Sequence, residues 1–173
     1  MEQAIISGVA ADLSEAKITL QGVPDRPGAA AAIFGAVAAE GAFVDMIVQN
    51  VGRGGTADVS FLVPTADLPR VGARMQGLVG EVGAAGFTLD DGIARVSLVG
   101  AGIKSHPQVV ADMFAALAAE GINIEMISTS SIRISCVIRA GDADRAVRAV
   151  HAKFALGSGA TTRDEHVPGP TAS

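Results

Sequence analysis

Residues 27–46 read PGAAAAIFGAVAAEGAFVDM, and residues 107–126 read PQVVADMFAALAAEGINIEM. The two stretches keep a constant offset of 80 residues, over which Phe34 corresponds to Phe114 and the tetrapeptide AAEG recurs. An offset that holds over so many positions indicates a duplicated structural unit rather than an accident of composition. The chain is therefore expected to contain the same small fold twice.

Each copy carries its own signals for the start and the end of a helix. Proline suits the first helical turn, where its missing N–H would have had no partner, and glycine suits the position past the helix end, where φ turns positive. Pro27 with Gly41, and Pro107 with Gly121, therefore each bracket one helix. Apolar stretches rich in β-branched residues follow each glycine and predict strands. These strands are residues 42–48 and 122–128.

The order of predicted elements is β-α-β-β-α-β, the ferredoxin-like α+β plan, in which both helices cover one face of an antiparallel sheet. The other elements of the first copy are strands at 16–23, 56–63 and 87–89 and a helix at 67–84. The other elements of the second copy are strands at 94–100 and 132–139 and a helix at 142–154. The second copy then offers no fourth strand, because the chain continues ALGSGATTRDEHVPGPTAS after Phe154.

A sheet that lacked its fourth strand would expose an edge and half of its core. Residues 4–9 form a β-type run outside both copies. We therefore predict that this N-terminal strand pairs into the second module, so that the first module is inserted between the parts of the second. The predicted domains are residues 16–90, residues 91–156 together with the N-terminal strand at 2–10, and a disordered tail at 157–173.

The composition argues against several classes of partner. A net charge of −5 and the absence of Trp and Tyr disfavour nucleic acid, which requires a basic face and stacking aromatic rings. Mean hydropathy is +0.41, but the longest apolar run, residues 28–39, is shorter than the roughly 20 residues that span a bilayer. With no signal peptide at residues 1–10, we expect a cytoplasmic protein that buries its extra apolar surface in an oligomer.

No set of residues in the sequence forms a convincing catalytic or metal site. Residues 96–107, VSLVGAGIKSHP, resemble a dinucleotide fingerprint with Glu125 as the ribose-binding acid, but the third glycine and the further βα units are absent. His106, His151 and His166 have no nucleophile or acid at motif spacing, and no ligand cluster for a metal appears. The single cysteine, Cys136, excludes a disulfide within the chain. We expect no catalytic residue, no metal and no cofactor.

The turn before the first helix is the strongest candidate binding site. Free N–H groups at Gly28, Ala29 and Ala30, together with the helix dipole, favour a carboxylate. Asp25 and Asp45 could hold an ammonium group beside that carboxylate. The turn is therefore interpreted both as an ordinary helix start and as a receptor for a zwitterion.

Four motifs resemble those of the regulatory (β) subunits of aspartate kinase, a family of paired ACT domains. They are DRPG at 25–28, VDMIVQNV at 44–51, VSLVGAGIKSHP at 96–107 and INIEMISTSSIRIS at 122–135. The resemblance covers residues 2–156. It implies a chain without an active site that combines with a catalytic α chain in an α2β2 enzyme. It also implies a homodimer that binds threonine, and in many relatives lysine, at interfaces between ACT domains of two chains.

The resemblance also implies which residues bind these allosteric ligands. The positions that match the threonine site are Asp25, Arg26, Pro27, Gly28, Ala29, Ala30, Phe43, Val44, Asp45 and Gln49, with Asn123 and Ile124 supplied by the partner chain. Backbone N–H groups would hold the carboxylate, Asp25 or Asp45 the ammonium group, and Gln49 the hydroxyl. The positions that match a lysine response are Ser128, Thr129 and Ser130.

Two departures from the family pattern affect these expectations. The second module has KSHPQ at 104–108 where the first has DRPG, so it lacks the equivalent glycine and is expected to be a poor copy of the receptor. Phe43 replaces a small polar residue and could act only through its backbone or as a packing wall. A stand-alone ACT sensor or adaptor, and a regulatory subunit of another amino-acid enzyme such as acetolactate synthase, remain alternatives at this point.

Overall fold

The computed structural model of the chain describes residues 4–155 and contains two four-stranded antiparallel sheets, which confirms the predicted fold class. The strands are β1 Ile5–Asp12, β2 Glu15–Pro24, β3 Asp45–Val51, β4 Thr56–Pro64, β5 Gly86–Asp90, β6 Ile93–Ala101, β7 Met126–Thr129 and β8 Arg133–Arg139. The helices are α1 Ala29–Ala39, α2 Leu68–Val82, α3 Pro107–Ala119 and α4 Ala143–Lys153. The disorder predicted for residues 157–173 lies outside the described residues.

The strand orders show how the chain divides between the two sheets. The first sheet has the order β3-β4-β2-β5, and the second has the order β1-β6-β8-β7. The N-terminal strand β1 runs antiparallel to β6, from the pair Ile5–Ala101 to the pair Asp12–Arg95. β1 is therefore the fourth strand of the second sheet, at the place where the rest of that module provides none.

Each module buries an apolar core between its sheet and its two helices. In the first module, the rings of Phe34 on α1 and Phe61 on β4 meet edge to face, with centroids 5.2 Å apart. In the second module, Met113 and Leu117 on α3 are fully buried against the sheet. Ile6, Val9 and Ala11 pack on this second core, so β1 supplies apolar contacts as well as backbone pairing.

The first helix begins later than its proline indicates. Gly28 precedes α1 in the left-handed region at φ +90°, so the helix starts at Ala29 and Pro27 lies in the preceding turn. The second copy does begin its helix at Pro107. The predicted glycine ends are confirmed, because Gly41 and Gly121 have φ +72° and φ +68°.

The strands after these glycines were predicted to begin too early. β3 starts at Asp45 rather than at residue 42, and β7 starts at Met126 rather than at residue 122. Ala42 and Val44 pack against the first core from a loop, and Ile122 is buried in the second core. Their apolar character therefore reflects burial under the helices and not strand pairing.

The face of each sheet that its helices do not cover packs against the corresponding face of the other sheet. A small apolar cluster joins the modules there, built from Leu62, Ile93, Met126 and Val137, with Met46 and Val48 packed against it. Lys17 on β2 donates to Glu125 of the second module at 2.5 Å beside this cluster. The modules are thus held together by an apolar centre with ion pairs at its margins.

The close contact between β1 and β6 gives a testable prediction at Gly100. A Cβ atom there would lie 2.5 Å from the Ile5 carbonyl oxygen and 3.2 Å from the Ile6 Cα atom. We expect Gly100→Val to lower the free energy of unfolding by about 1–3 kcal/mol, because the backbone of β1 must move away from β6. Urea unfolding measures this loss. Gly8→Val is the control because open space surrounds Gly8, and equal losses in both variants would contradict the described packing of β1.

Candidate functional site

A cavity opens at the start of α1 in the first module, with a volume of about 250 Å³. The turn that leads into α1 forms most of its wall, and strands β3 and β4 contribute one side chain each. Its lining residues are Val23, Pro24, Asp25, Arg26, Pro27, Gly28, Ala29, Ala30, Gln49 and Val59. The structure thus brings together seven residues of the predicted threonine set, Asp25 to Ala30 and Gln49.

The backbone at this helix start presents unpaired donors. Ala32 N–H donates to the Gly28 carbonyl at 3.0 Å and begins the helical ladder. Ala29 N–H, expected to be free, donates to the Arg26 carbonyl at a long 3.3 Å. Within the described residues, the N–H groups of Gly28 and Ala30 have no hydrogen-bond acceptor, and no side chain caps the helix. Such N–H groups at the positive end of the helix dipole favour a bound carboxylate.

The polar side chains around the cavity differ in how firmly they are held. Arg26 points toward the end of α2, where its guanidinium reaches the Val82 carbonyl at 3.4 Å. The side chains of Asp25 and Gln49 are exposed, and no side-chain hydrogen bond or ion pair engages either within residues 4–155. An acid and an amide are therefore available to a molecule that enters the cavity.

The other predicted threonine residues lie outside this cavity. Phe43 is 86% exposed, Val44 packs on the first core, and Asp45 pairs with Arg95 of the second module. Asn123 is exposed and Ile124 packs on the second core. Asn123 and Ile124, which the resemblance assigns to a partner chain, do not line this cavity.

A second cavity occupies the equivalent place in the second module. It has a volume of about 540 Å³ and is lined by Ile103, Lys104, Pro107, Val110, Thr129, Ser130 and Ser131. Thr129 takes the place that Gln49 has in the first module, 80 residues earlier. A lysine and three hydroxyl groups replace the acid and amide of the first cavity. The second module thus has a cavity although its loop lacks the glycine, and the polar groups that line this cavity differ from those of the first.

Two arginines connect the modules, and no local pattern in the sequence predicts the position of either. Arg95 on β6 reaches Glu15 at 2.8 Å and Asp12 at 3.5 Å, and it also pairs with Asp45. Its neighbourhood includes a cavity of about 190 Å³, lined by Asp45, Met46, Arg95, Ser128, Ser130, Arg133 and Ser135. Ser128 and Ser130 of the predicted lysine set thus lie beside the junction of the modules.

The second arginine, Arg139 on β8, holds the opposite margin of the junction. It donates to Asp90 on β5 at 2.7 and 2.9 Å and approaches Glu125 at 3.3 Å. The hydrogen bonds from Arg139 lower the pKa of Asp90 from 3.8 to about 2. Beside Arg95 the outcome is the opposite. Burial raises the pKa of Glu15 by more than the positive charge of Arg95 lowers it.

The lowered pKa of Asp90 predicts a pH-dependent contribution to stability. A carboxylate whose folded-state pKa is depressed stabilises the fold above its unfolded pKa and loses this effect as pH falls toward about 2. Because the pair is partly exposed, we expect Asp90→Asn to cost only about 0.5–1 kcal/mol at pH 7. The cost should fall to nearly zero at pH 2, as measured by urea unfolding. Asp91→Asn is the control, and a cost for Asp90→Asn that does not change with pH would contradict the ion pair.

The described residues offer little else that could carry chemistry. No group of His, Cys, Asp and Glu between residues 4 and 155 is arranged to hold a metal ion. Burial raises the pKa of the Cys136 thiol to about 12, so this cysteine is a poor nucleophile. Over the same residues, none of the helices has the length and apolarity that crossing a membrane requires.

Comparison with protein families finds the ACT domain twice, at residues 6–80 and at residues 96–154. The aspartokinase of Corynebacterium efficiens is 45% identical over 159 residues, and the aspartate kinase of Stutzerimonas stutzeri is 49% identical over 156 residues. These alignments cover 91% and 90% of this chain but only 38% of each relative. The chain therefore spans well under half the length of these curated relatives.

Solved structures of regulatory chains match along almost their whole length. A structure of aspartokinase alpha and beta subunits gives a TM-score of 0.83 at 44% identity, covering 87% of this chain and 99% of the matched chain. The ligand-free regulatory subunit of aspartate kinase from Thermus thermophilus gives a TM-score of 0.82 at 44% identity, with 86% and 99% covered. The similarity thus extends over both modules and their arrangement in one chain.

Proposed function

Because the chain belongs to the ACT-domain regulatory subunits of the aspartokinase family, we propose that it senses end-product amino acids for an aspartate kinase. In this proposal it binds threonine, with a further response to lysine, and mediates feedback inhibition of aspartate phosphorylation by a catalytic subunit. The observation that carries the proposal is the cavity at the start of α1, which gathers seven predicted ligand residues.

The chemistry of this cavity suits a small zwitterion with a polar side chain. The N–H groups of Gly28 and Ala30 are placed to receive a carboxylate. The exposed carboxylate of Asp25 provides a partner for an ammonium group. Gln49, from across the cavity, can exchange a hydrogen bond with a hydroxyl group. A volume of about 250 Å³ is enough for an amino acid of the size of threonine.

A second copy of the chain would complete the site. β3 and β7 are edge strands of their sheets, and both carry exposed apolar side chains. These side chains are Phe43 just before β3, Ile47 and Val51 on β3, Ile127 on β7 and Ile132 beyond it. Exposed apolar edge strands favour association. If β7 of one protomer lies beside β3 of its partner, Asn123 and Ile124, just before β7, approach the cavity of the partner.

The proposed mechanism is a shift in population between two arrangements of the dimer. Effector bound between two chains stabilises one arrangement, which the catalytic subunit senses as an inhibited geometry. Coupling of this kind is typically worth about 1–3 kcal/mol. The hydroxyl groups of Ser128, Thr129 and Ser130 on and beside β7 are proposed to respond to lysine, because they line the second cavity and the junction of the modules.

Gln49→Ala tests the proposed role of the cavity. We expect the affinity for threonine to fall about three- to tenfold, because the ligand hydroxyl loses one hydrogen-bond partner. Isothermal titration calorimetry with threonine measures the change. Gln49 is exposed, so the melting temperature of the ligand-free protein should stay the same.

The adjacent variant Asn50→Ala serves as the control. Asn50 is also exposed on β3, but successive side chains point to opposite faces of a strand and Asn50 does not line the cavity. We expect it to bind threonine with unchanged affinity. Equal affinities for the wild type and Gln49→Ala would remove Gln49 from the site.

A further inference from the structure

We infer that Arg95, in the second module, is a positioning residue for the cavity at the start of α1 in the first module. It acts by holding strand β3 through Asp45. This inference rests on the proposed function, because it requires that an amino acid occupies that cavity. It adds a residue that makes no contact with the cavity and lies in the other module.

The contacts of Arg95 span the junction of the modules. The side chain of Arg95 is only 15% exposed. One guanidinium nitrogen, Nη1, pairs with Asp45, and the other, Nη2, pairs with both Glu15 and Asp12. Glu15 and Asp12 belong to β2 and β1, next to the turn that joins the modules. Asp45 alone among these acids belongs to β3, and its side chain is 53% exposed. The pair of Arg95 and Asp45 is therefore the ionic link between the second module and β3.

Strand β3 is poorly held by its own sheet at this end. It is an edge strand that pairs only with β4. The pairing shifts register between Asp45 and Val48, since three steps along β3 match two steps from Leu62 to Ser60 on β4. This is a β-bulge with one extra residue. Arg95 pairs with Asp45, the first residue of β3, which lies directly before this bulge.

The bulge also contains a strained residue. Met46 has φ +50°, in the left-handed region that residues other than glycine rarely adopt. Such a conformation persists only where the surroundings enforce it. The neighbouring Asp45–Arg95 pair and the packing of Met46 against the apolar cluster of the junction provide this constraint. Without the pair, we expect the bulge to relax.

Relaxation of the bulge would move the cavity wall. Gln49, three residues beyond Met46 on β3, lines the cavity at the start of α1. Asp45 and Arg95 both line the separate cavity at the junction. If the pair breaks, the two side chains can therefore move apart into that cavity without displacing packed neighbours. Ser128 and Ser130 line that same junction cavity. β3 thus connects the proposed threonine site to the strand with the proposed lysine response.

The test is calorimetric titration of the full chain with threonine. Arg95→Gln is expected to weaken threonine binding about three- to tenfold, although Arg95 is not part of the cavity wall. Asp45→Asn should weaken it to a similar extent, and the double variant should bind no more weakly than Arg95→Gln alone. Such non-additivity means that the two residues act through one interaction.

Arg139→Gln is the matched control. Arg139 also bridges the modules, but it holds β5 at the opposite margin and does not touch β3. We expect the affinity of the Arg139→Gln variant for threonine to stay within about twofold of the wild-type affinity. If both arginine variants weaken binding equally, general loosening of the junction explains the result, and the inference about Arg95 is wrong.

The remaining outcomes separate this inference from the proposed function. Wild-type affinity in Arg95→Gln would overturn the inference alone. A full additional loss from Asp45→Asn in the Arg95→Gln background would show that Asp45 contacts the ligand, which also overturns it. If the wild type binds no threonine, the proposed function fails. Should Arg95→Gln not fold, Arg95→Lys replaces it in the same cycle, because lysine keeps the charge but not the several directed donors of a guanidinium.

Discussion

Gly28→Val is expected to reduce the affinity for threonine by about 30- to 100-fold, the largest effect on binding that we predict for one side chain. Gly28 adopts φ +90°, where a β-branched residue is strained by roughly 2–3 kcal/mol. The turn of the variant should leave this conformation, so that only a minor fraction of the molecules keeps the cavity with its aligned N–H groups. A ligand that binds only the minor state shows an affinity reduced by the fraction of that state.

Gly41→Val separates this effect on the site from a general loss of stability. Gly41 ends the same helix at φ +72°, and its added side chain would also enter open space. Both variants should lose a comparable part of the free energy of unfolding, as measured with urea. Only Gly28→Val should lose threonine binding in calorimetry. Normal threonine binding by a folded Gly28→Val protein would show that the helix start is not the site.

Phe61→Ala is expected to lower the free energy of unfolding by about 3–5 kcal/mol, the largest effect on stability that we predict. Phe61 is fully buried on β4, and its ring packs edge to face on Phe34 of α1. Alanine would leave a cavity between the sheet and the helix that carries the candidate site. Denaturant unfolding followed by circular dichroism measures the loss.

Phe61→Leu is the matched comparison for this prediction. Leucine keeps most of the buried apolar volume, and we expect a loss of about 1–1.5 kcal/mol. The difference between the two variants then reports the empty volume rather than the loss of the aromatic ring. A loss below 1 kcal/mol for Phe61→Ala would contradict the described core of the first module.

Local sequence signals were sufficient for the fold. The duplicated segment, the glycines at the helix ends and the missing fourth strand of the second copy determined the element order. Boundaries were less predictable where burial and strand pairing produce the same apolar pattern, as at Ala42 and Val44 before β3. Pro27 was misplaced inside the helix because the left-handed conformation of Gly28 delays the start of α1.

The candidate site was predictable only where its residues are close in sequence or match a family motif. The turn from Asp25 to Ala30 is continuous, and the resemblance supplied Gln49. The link between Arg95 and Asp45 spans 50 residues and depends on how two sheets face each other, which no local pattern encodes. The second cavity was not predicted, because the absence of a glycine says little about the shape that α3 and β7 create together.

Under the proposed function, this chain binds threonine at an interface between two copies of itself. The most direct measurement is calorimetric titration with threonine and then lysine, with light scattering on the same samples. We predict about one threonine per chain, formation or stabilisation of a dimer, and about 2.7 kcal/mol of added stability at a ligand concentration of a hundred times its dissociation constant. No heat from either amino acid, with no change in oligomeric state, would contradict the account.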